Sequence, residues 1–150
     1  MLMASATLTA STLFTPSTTI TTGVVLLTVI GIAYGGTFML RVVTGKQGAN
    51  DLQKSFFRAG HAHAGVLVIL GLVVLLAMAA AGAGVWGNVI GVAVLCCALL
   101  IPGGFFFSVI GRDPQKPNSA KALIWIGFTV LTVAMLGGGI LLIAVGAGAA

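Results

Sequence analysis

Four runs of at least about 20 residues, almost free of charge, dominate this chain, and each could cross a ~30 Å hydrocarbon layer as a helix rising 1.5 Å per residue. They cover residues 23–43, about 56–81, 87–110 and about 119–145. Only 6% of the 150 residues are charged and 59% are hydrophobic, whereas a soluble domain carries about 25% charged residues. With a mean hydropathy of +1.18, the chain cannot clothe itself in polar side chains. Lipid supplies no hydrogen bonds, so a spanning backbone must be a helix or a closed barrel. Barrel strands alternate apolar and polar over roughly ten residues; these runs are longer and apolar on every side. The expectation is an all-α, integral-membrane bundle of four transmembrane helices, with one membrane domain over residues 23–150.

The net charge of +5 could suggest nucleic acid, but its placement argues for topology. Arg41, Lys46, Lys54 and Arg58 form one cluster, and Arg112, Lys116 and Lys121 form the other. Neither cluster interleaves aromatics on a soluble face where bases could stack. With four spans, the 44–55 and 111–118 loops share a side, and that side holds every cation. The positive-inside rule then puts both loops in the cytoplasm and both termini outside; the expected location is the plasma (cytoplasmic) membrane.

Residues 1–22 carry no charge, and eleven of them are Ser or Thr. Lacking the basic start of a signal peptide, they read as a polar tail. Cys96 and Cys97 are adjacent, about 100° apart on a helix; they match no structural zinc spacing and read as inert buried thiols. The short "AGAGVWGN" connection makes the second and third spans antiparallel neighbours. Asn118 or Ser119, after Pro117, is the expected N-cap of the fourth span. Trp86 suits the outer boundary and Trp125 the inner belt. Gly31-x-x-x-Gly35 and Gly87-x-x-x-Gly91 predict close helix contacts, as do Gly60, Ala64 and Gly71 on span two and the run Gly137 to Gly139. Such glycine-rich faces suit bundle packing, a homo-oligomer or a larger membrane complex.

The second span opens with "SFFRAGHAHAGV", placing two imidazoles roughly 7 to 10 Å inside the boundary. Arg58 can snorkel to the headgroups, while His61 and His63 are candidates for function because ionisable groups within a membrane are costly. Residues i and i+2 lie about 200° apart on a helix, so the pair cannot clip one metal ion. The reading has one histidine facing the bundle beside Ala64, Gly65 and Val68, and the other facing a second subunit, a headgroup or a crevice. A single histidine could ligate haem iron or a transition metal, with the second ligand from another copy or from Met39 or Met135. In "LLIPGGFFFSVIGR", Pro102 removes a backbone donor and frees the Ala98 carbonyl. These features suggest a packing kink or a cytoplasmic pocket lined by Tyr34, Arg58, His61 or His63, Pro102 and Ser108.

Glutamate is absent and both aspartates, Asp51 and Asp113, fall in loops. No acid is available inside the bundle for proton coupling. No phosphate-cradling loop or nucleophile–base set is visible either.

The segments "RAGHAHAGVLVILGLV" and "PGGFFFSVIGRDPQKPN" resemble those of an uncharacterised family of small bacterial four-helix integral membrane proteins. The likeness covers most of residues 23–145 and is carried by Arg58, Gly60, His61, His63, Gly65, Pro102, Gly104, Phe106, Ser108, Gly111, Pro117 and Asn118. It implies the topology and supplies no chemistry. A weaker resemblance is to the membrane-associated eicosanoid and glutathione metabolism family, whose second helix opens with Arg-Ala-His. Here "RAGHAH" lacks that pattern's asparagine and glutamate, and only Arg58 and Arg41 could meet glutathione.

Three readings follow. The first is a non-catalytic accessory or binding protein with a His61/His63 site for packing, haem or metal. The second is a small homo-oligomeric channel or transporter gated by histidine, which titrates near neutrality. The third is a glutathione-dependent membrane enzyme.

Overall fold

A computed structural model describes residues 14–148. It contains four long helices, α1 (Pro16–Val43), α2 (Asp51–Ala80), α3 (Gly84–Ser108) and α4 (Ala122–Gly146), with a 3-10 turn at Ser119–Lys121 leading into α4. No strand occurs among the described residues. All four helices are long and apolar enough to cross a membrane.

The helix starts differ from the sequence expectation, and the reason is local chemistry. α1 begins at Pro16, so residues 16–22, expected to be tail, are helical; residues 1–13 lie outside the described chain. Thr15 caps this helix, its hydroxyl oxygen accepting from Thr18 N at 3.2 Å. Pro16 follows at the first helical position, where a missing N–H costs nothing. The Ser/Thr density that resembles a coil therefore includes a start signal. α2 likewise begins at Asp51 instead of 56, because Asn50 and Gln53 form a reciprocal capping box. Gln53 N donates to Asn50 Oδ1 at 2.8 Å, and Asn50 N donates to Gln53 Oε1 at 3.1 Å. Gly82 and Gly84 adopt positive φ in the turn between α2 and α3, a conformation that a Cβ would penalise. Asn118 caps the 3-10 turn that leads into α4, accepting from Ala120 N at 2.8 Å.

α3 is central. Its most extensive contact is with α2 and its next with α4, while α1 leans chiefly on α2. Glycines set these distances. A Cβ at Gly91 would fall 2.7 Å from Leu75 Cα, and one at Gly71 would fall 2.5 Å from Leu95 Cδ2. On the other side of α3, a Cβ at Gly104 would meet the backbone N of Ile124 at 2.7 Å, and one at Gly127 would meet Ile101 Cγ1 at 2.5 Å. The space around Gly31, Gly137 and Gly139 is open, so the small-residue reading holds for Gly87, Gly91 and Gly71 but not for Gly31. The core joins Val25 of α1, Leu67 and Val68 of α2, and Cys97, Ala98 and Ile101 of α3.

The two basic loops meet at one end of the molecule. Asn50 Nδ2 donates to Asp113 Oδ1 at 2.7 Å and to the Pro114 carbonyl at 2.8 Å. Gln53, only 5% exposed, donates through Nε2 to the carbonyls of Val109 at 3.1 Å and Gly111 at 2.9 Å. Those carbonyls lie past the end of α3, where no helical donor reaches them.

Candidate functional site

His61 and His63 point to different helices, as their spacing requires, but both find neighbours within the chain. His61 lies in the α1–α2 seam over two glycines. A Cβ at Gly35 would sit 3.7 Å from its Nδ1, and one at Gly36 would sit 3.6 Å from its Nε2. Its imidazole is half-buried and has no hydrogen-bond partner among the described residues. His63 turns toward α3 and α4. Its Nδ1 lies 2.8 Å from the Ala59 carbonyl one turn back, close enough to donate when protonated. Its ring stacks on Phe105 at 5.3 Å between centroids and meets Phe128 edge-on at 5.8 Å. His63, expected to face a second subunit, a headgroup or a crevice, packs against Phe105 of α3 and Phe128 of α4 and stays partly exposed.

The motif near the start of α2 and the motif that closes α3 are halves of one contact. Phe38, Phe57 and Phe106 run in sequence across α1, α2 and α3, with centroid separations of 5.4 and 5.6 Å. Phe56 meets Phe105 at 5.6 Å, and Phe105 leads on to His63. Gly60 makes room: a Cβ there would lie 3.0 Å from Phe106 Cε2 and 3.1 Å from Phe105 Cβ. Offset and edge-on ring pairs of this kind add to the burial they accompany. Phe56, Phe57, Gly60 and His63 of α2 and the glycine–phenylalanine close of α3 thus form an aromatic lock near the basic end.

Of the other expected pocket residues, Arg58 lines a cavity that Tyr34, Pro102 and Ser108 do not line. Tyr34 is 77% exposed on α1, since Gly35 and Gly36 face α2 and Tyr34 is turned away from them. Ser108 is buried, its hydroxyl donating to the Phe105 carbonyl at 3.2 Å. Pro102 is buried within α3, and the helix continues through it to Ser108. Arg58 does line a cavity of about 220 Å³, with Met39, Val42, Val43 and Lys54. Met39 follows Gly35 by one turn on α1, whereas Met135 is on α4, away from the α1–α2 seam.

Sequence reading missed two polar positions. Gln53 falls in the expected 44–55 loop, although an Asn followed three residues later by Gln is a legible helix start. Asn88 is a lone polar residue inside an apolar run; it lines a cavity of about 450 Å³ at the opposite end, with Thr15, Ser17 and Thr18. Its Oδ1, like Thr22 Oγ1, is buried without a partner among the described residues. No group of three His, Cys, Asp or Glu side chains able to hold a metal occurs among those residues.

Four membrane-length helices with no strand among the described residues define a multi-pass, all-helical membrane protein. Comparison with protein-family models, curated proteins and solved structures gives no match for this chain.

Proposed function

We propose that this chain is a non-catalytic accessory or binding protein of the plasma membrane, with its basic loops in the cytoplasm and both termini outside. The joined loops, with all seven Lys and Arg in them or on the adjoining helix turns, support that orientation because cations are retained on the cytoplasmic side. Binding falls to His61. The carrying observation is the division of labour between the imidazoles: His63 is engaged by the Ala59 carbonyl, Phe105 and Phe128, while His61 sits over glycines with no described hydrogen-bond partner. A transition-metal ion or haem iron is the ligand class suited to a neutral imidazole, and Met39 on the same seam is the nearer candidate for a second donor. A macrocycle would also need the seam to widen, since the neighbouring 220 Å³ cavity is smaller than the ~300 Å³ lower end of small-molecule pockets. The outer helices support the accessory role: Gly31 on α1 and Gly137 and Gly139 on α4 face open space, available to a second copy or a larger complex.

The test is metal analysis and the visible spectrum of protein purified in detergent. Bound metal or a Soret band that is lost in His61→Ala and kept in His63→Ala is the expected result. A colourless, metal-free wild type, or equal loss in both variants with the fold intact, overturns the binding role.

A further inference from the structure

The chain has seven Lys and Arg but only two acidic side chains, and both acids are already engaged. Asp51 Oδ1 accepts from Lys54 Nζ at 3.1 Å, and Asp113 Oδ1 accepts from Asn50 Nδ2 at 2.7 Å. The Lys54–Asp51 pair is the one salt bridge among the described residues, which leaves Arg58 without a carboxylate. Arg58 follows Lys54 by four residues on α2, so the two cations share a face about 6 Å apart along the axis and repel each other. Both line the 220 Å³ cavity whose remaining wall is Met39, Val42 and Val43 at the end of α1. Two cations beside a hydrocarbon wall, at the level where long basic side chains reach for headgroups, match an amphiphilic anion.

We propose that this cavity binds the headgroup of an anionic phospholipid. Arg58 and Lys54 donate to the phosphate, and Met39, Val42 and Val43 cover the start of an acyl chain. The existing Lys54–Asp51 bridge is no obstacle, because both side chains are well exposed and surface pairs contribute little. Free phosphate could use the cations but would leave the apolar wall uncovered, so the lipid is the better match. The other basic residues, Arg41, Lys46, Arg112, Lys116 and Lys121, do not line this cavity, which separates the proposal from a general attraction of the basic end to anionic membranes. It does not require His61 to bind anything.

The test measures phosphatidylglycerol binding to the full chain in detergent by native mass spectrometry and by thermal shift, against phosphatidylcholine and inorganic phosphate. Wild type and the charge-matched control Arg112→Gln/Lys116→Gln should retain phosphatidylglycerol and gain several degrees in Tm. Lys54→Gln/Arg58→Gln should bind roughly 30-fold more weakly, at about 1 kcal/mol for each lost cation–lipid contact. The exchange Lys54→Arg/Arg58→Lys should preserve binding. Equal weakening in the control, equal binding of phosphatidylcholine, or an equal shift from inorganic phosphate overturns the proposal. If the double variant does not fold, Arg58→Gln alone is read against the same outcomes.

Discussion

His63 touches three other parts of the chain, and its value should be measurable through them. The Phe105–His63 stack at 5.3 Å predicts a coupling of about 0.5–1.5 kcal/mol in a His63→Ala, Phe105→Leu double-mutant cycle read by chemical or thermal unfolding. A coupling near zero would remove the stack from the account of the fold. Gln53 offers a sharper case. Gln53→Ala strands the buried Val109 carbonyl, and an unsatisfied buried polar group costs about 1–3 kcal/mol. A matching loss of stability, with the α1–α2 and α3–α4 loops becoming more open to protease, is expected. The two side chains also differ in legibility. Asn50-x-x-Gln53 could be recognised as a capping box from four residues. The partners of the Gln53 amide, more than fifty residues along the chain, could not.

Helix pairs in this molecule are governed by where glycine meets backbone. A methyl at Gly91 would lie 2.7 Å from Leu75 Cα; no side-chain rotation relieves that approach, so α2 and α3 must separate. Gly91→Ala should cost about 1–3 kcal/mol, the range for overpacking, while Gly31→Ala, facing open space, should be neutral or stabilising by up to about 1 kcal/mol through helix propensity. Unfolding of both variants in one detergent checks the contrast, and equal effects would contradict the packing. Each glycine belongs to a Gly-x-x-x-Gly motif in the sequence. The motif records that two helices could approach; it does not record which helix arrives. Gly35, by contrast, pairs with an imidazole instead of a backbone, an outcome that depends on the rotation of α1 about its axis.

At the scale of the molecule, the hydrogen bonds from Asn50 to Asp113 and Pro114 hold the two cationic loops together. Topology reporters fused at residues 47 and 115 should therefore report one compartment, and the cytoplasm if the charge rule operates. Opposite compartments would be incompatible with the contact itself. The weaker attachment of α1 predicts that its amides exchange hydrogen before those at the α2–α3 seam, because opening free energy follows local packing. α1 buries only 11% of its most apolar window, against 44% for α3.

By itself the sequence determined the solvent, the number of crossings and the common side of the cations. Those properties depend on length and local composition, and a backbone in lipid has few alternatives to a helix. Tertiary structure decided which helices each histidine meets, which glycines meet backbone, and that Tyr34 is exposed while Pro102 and Ser108 are buried. Each of those outcomes turns on the rotation and separation of neighbouring helices. In helices apolar around nearly the whole circumference, composition leaves that rotation open, and close packing settles it.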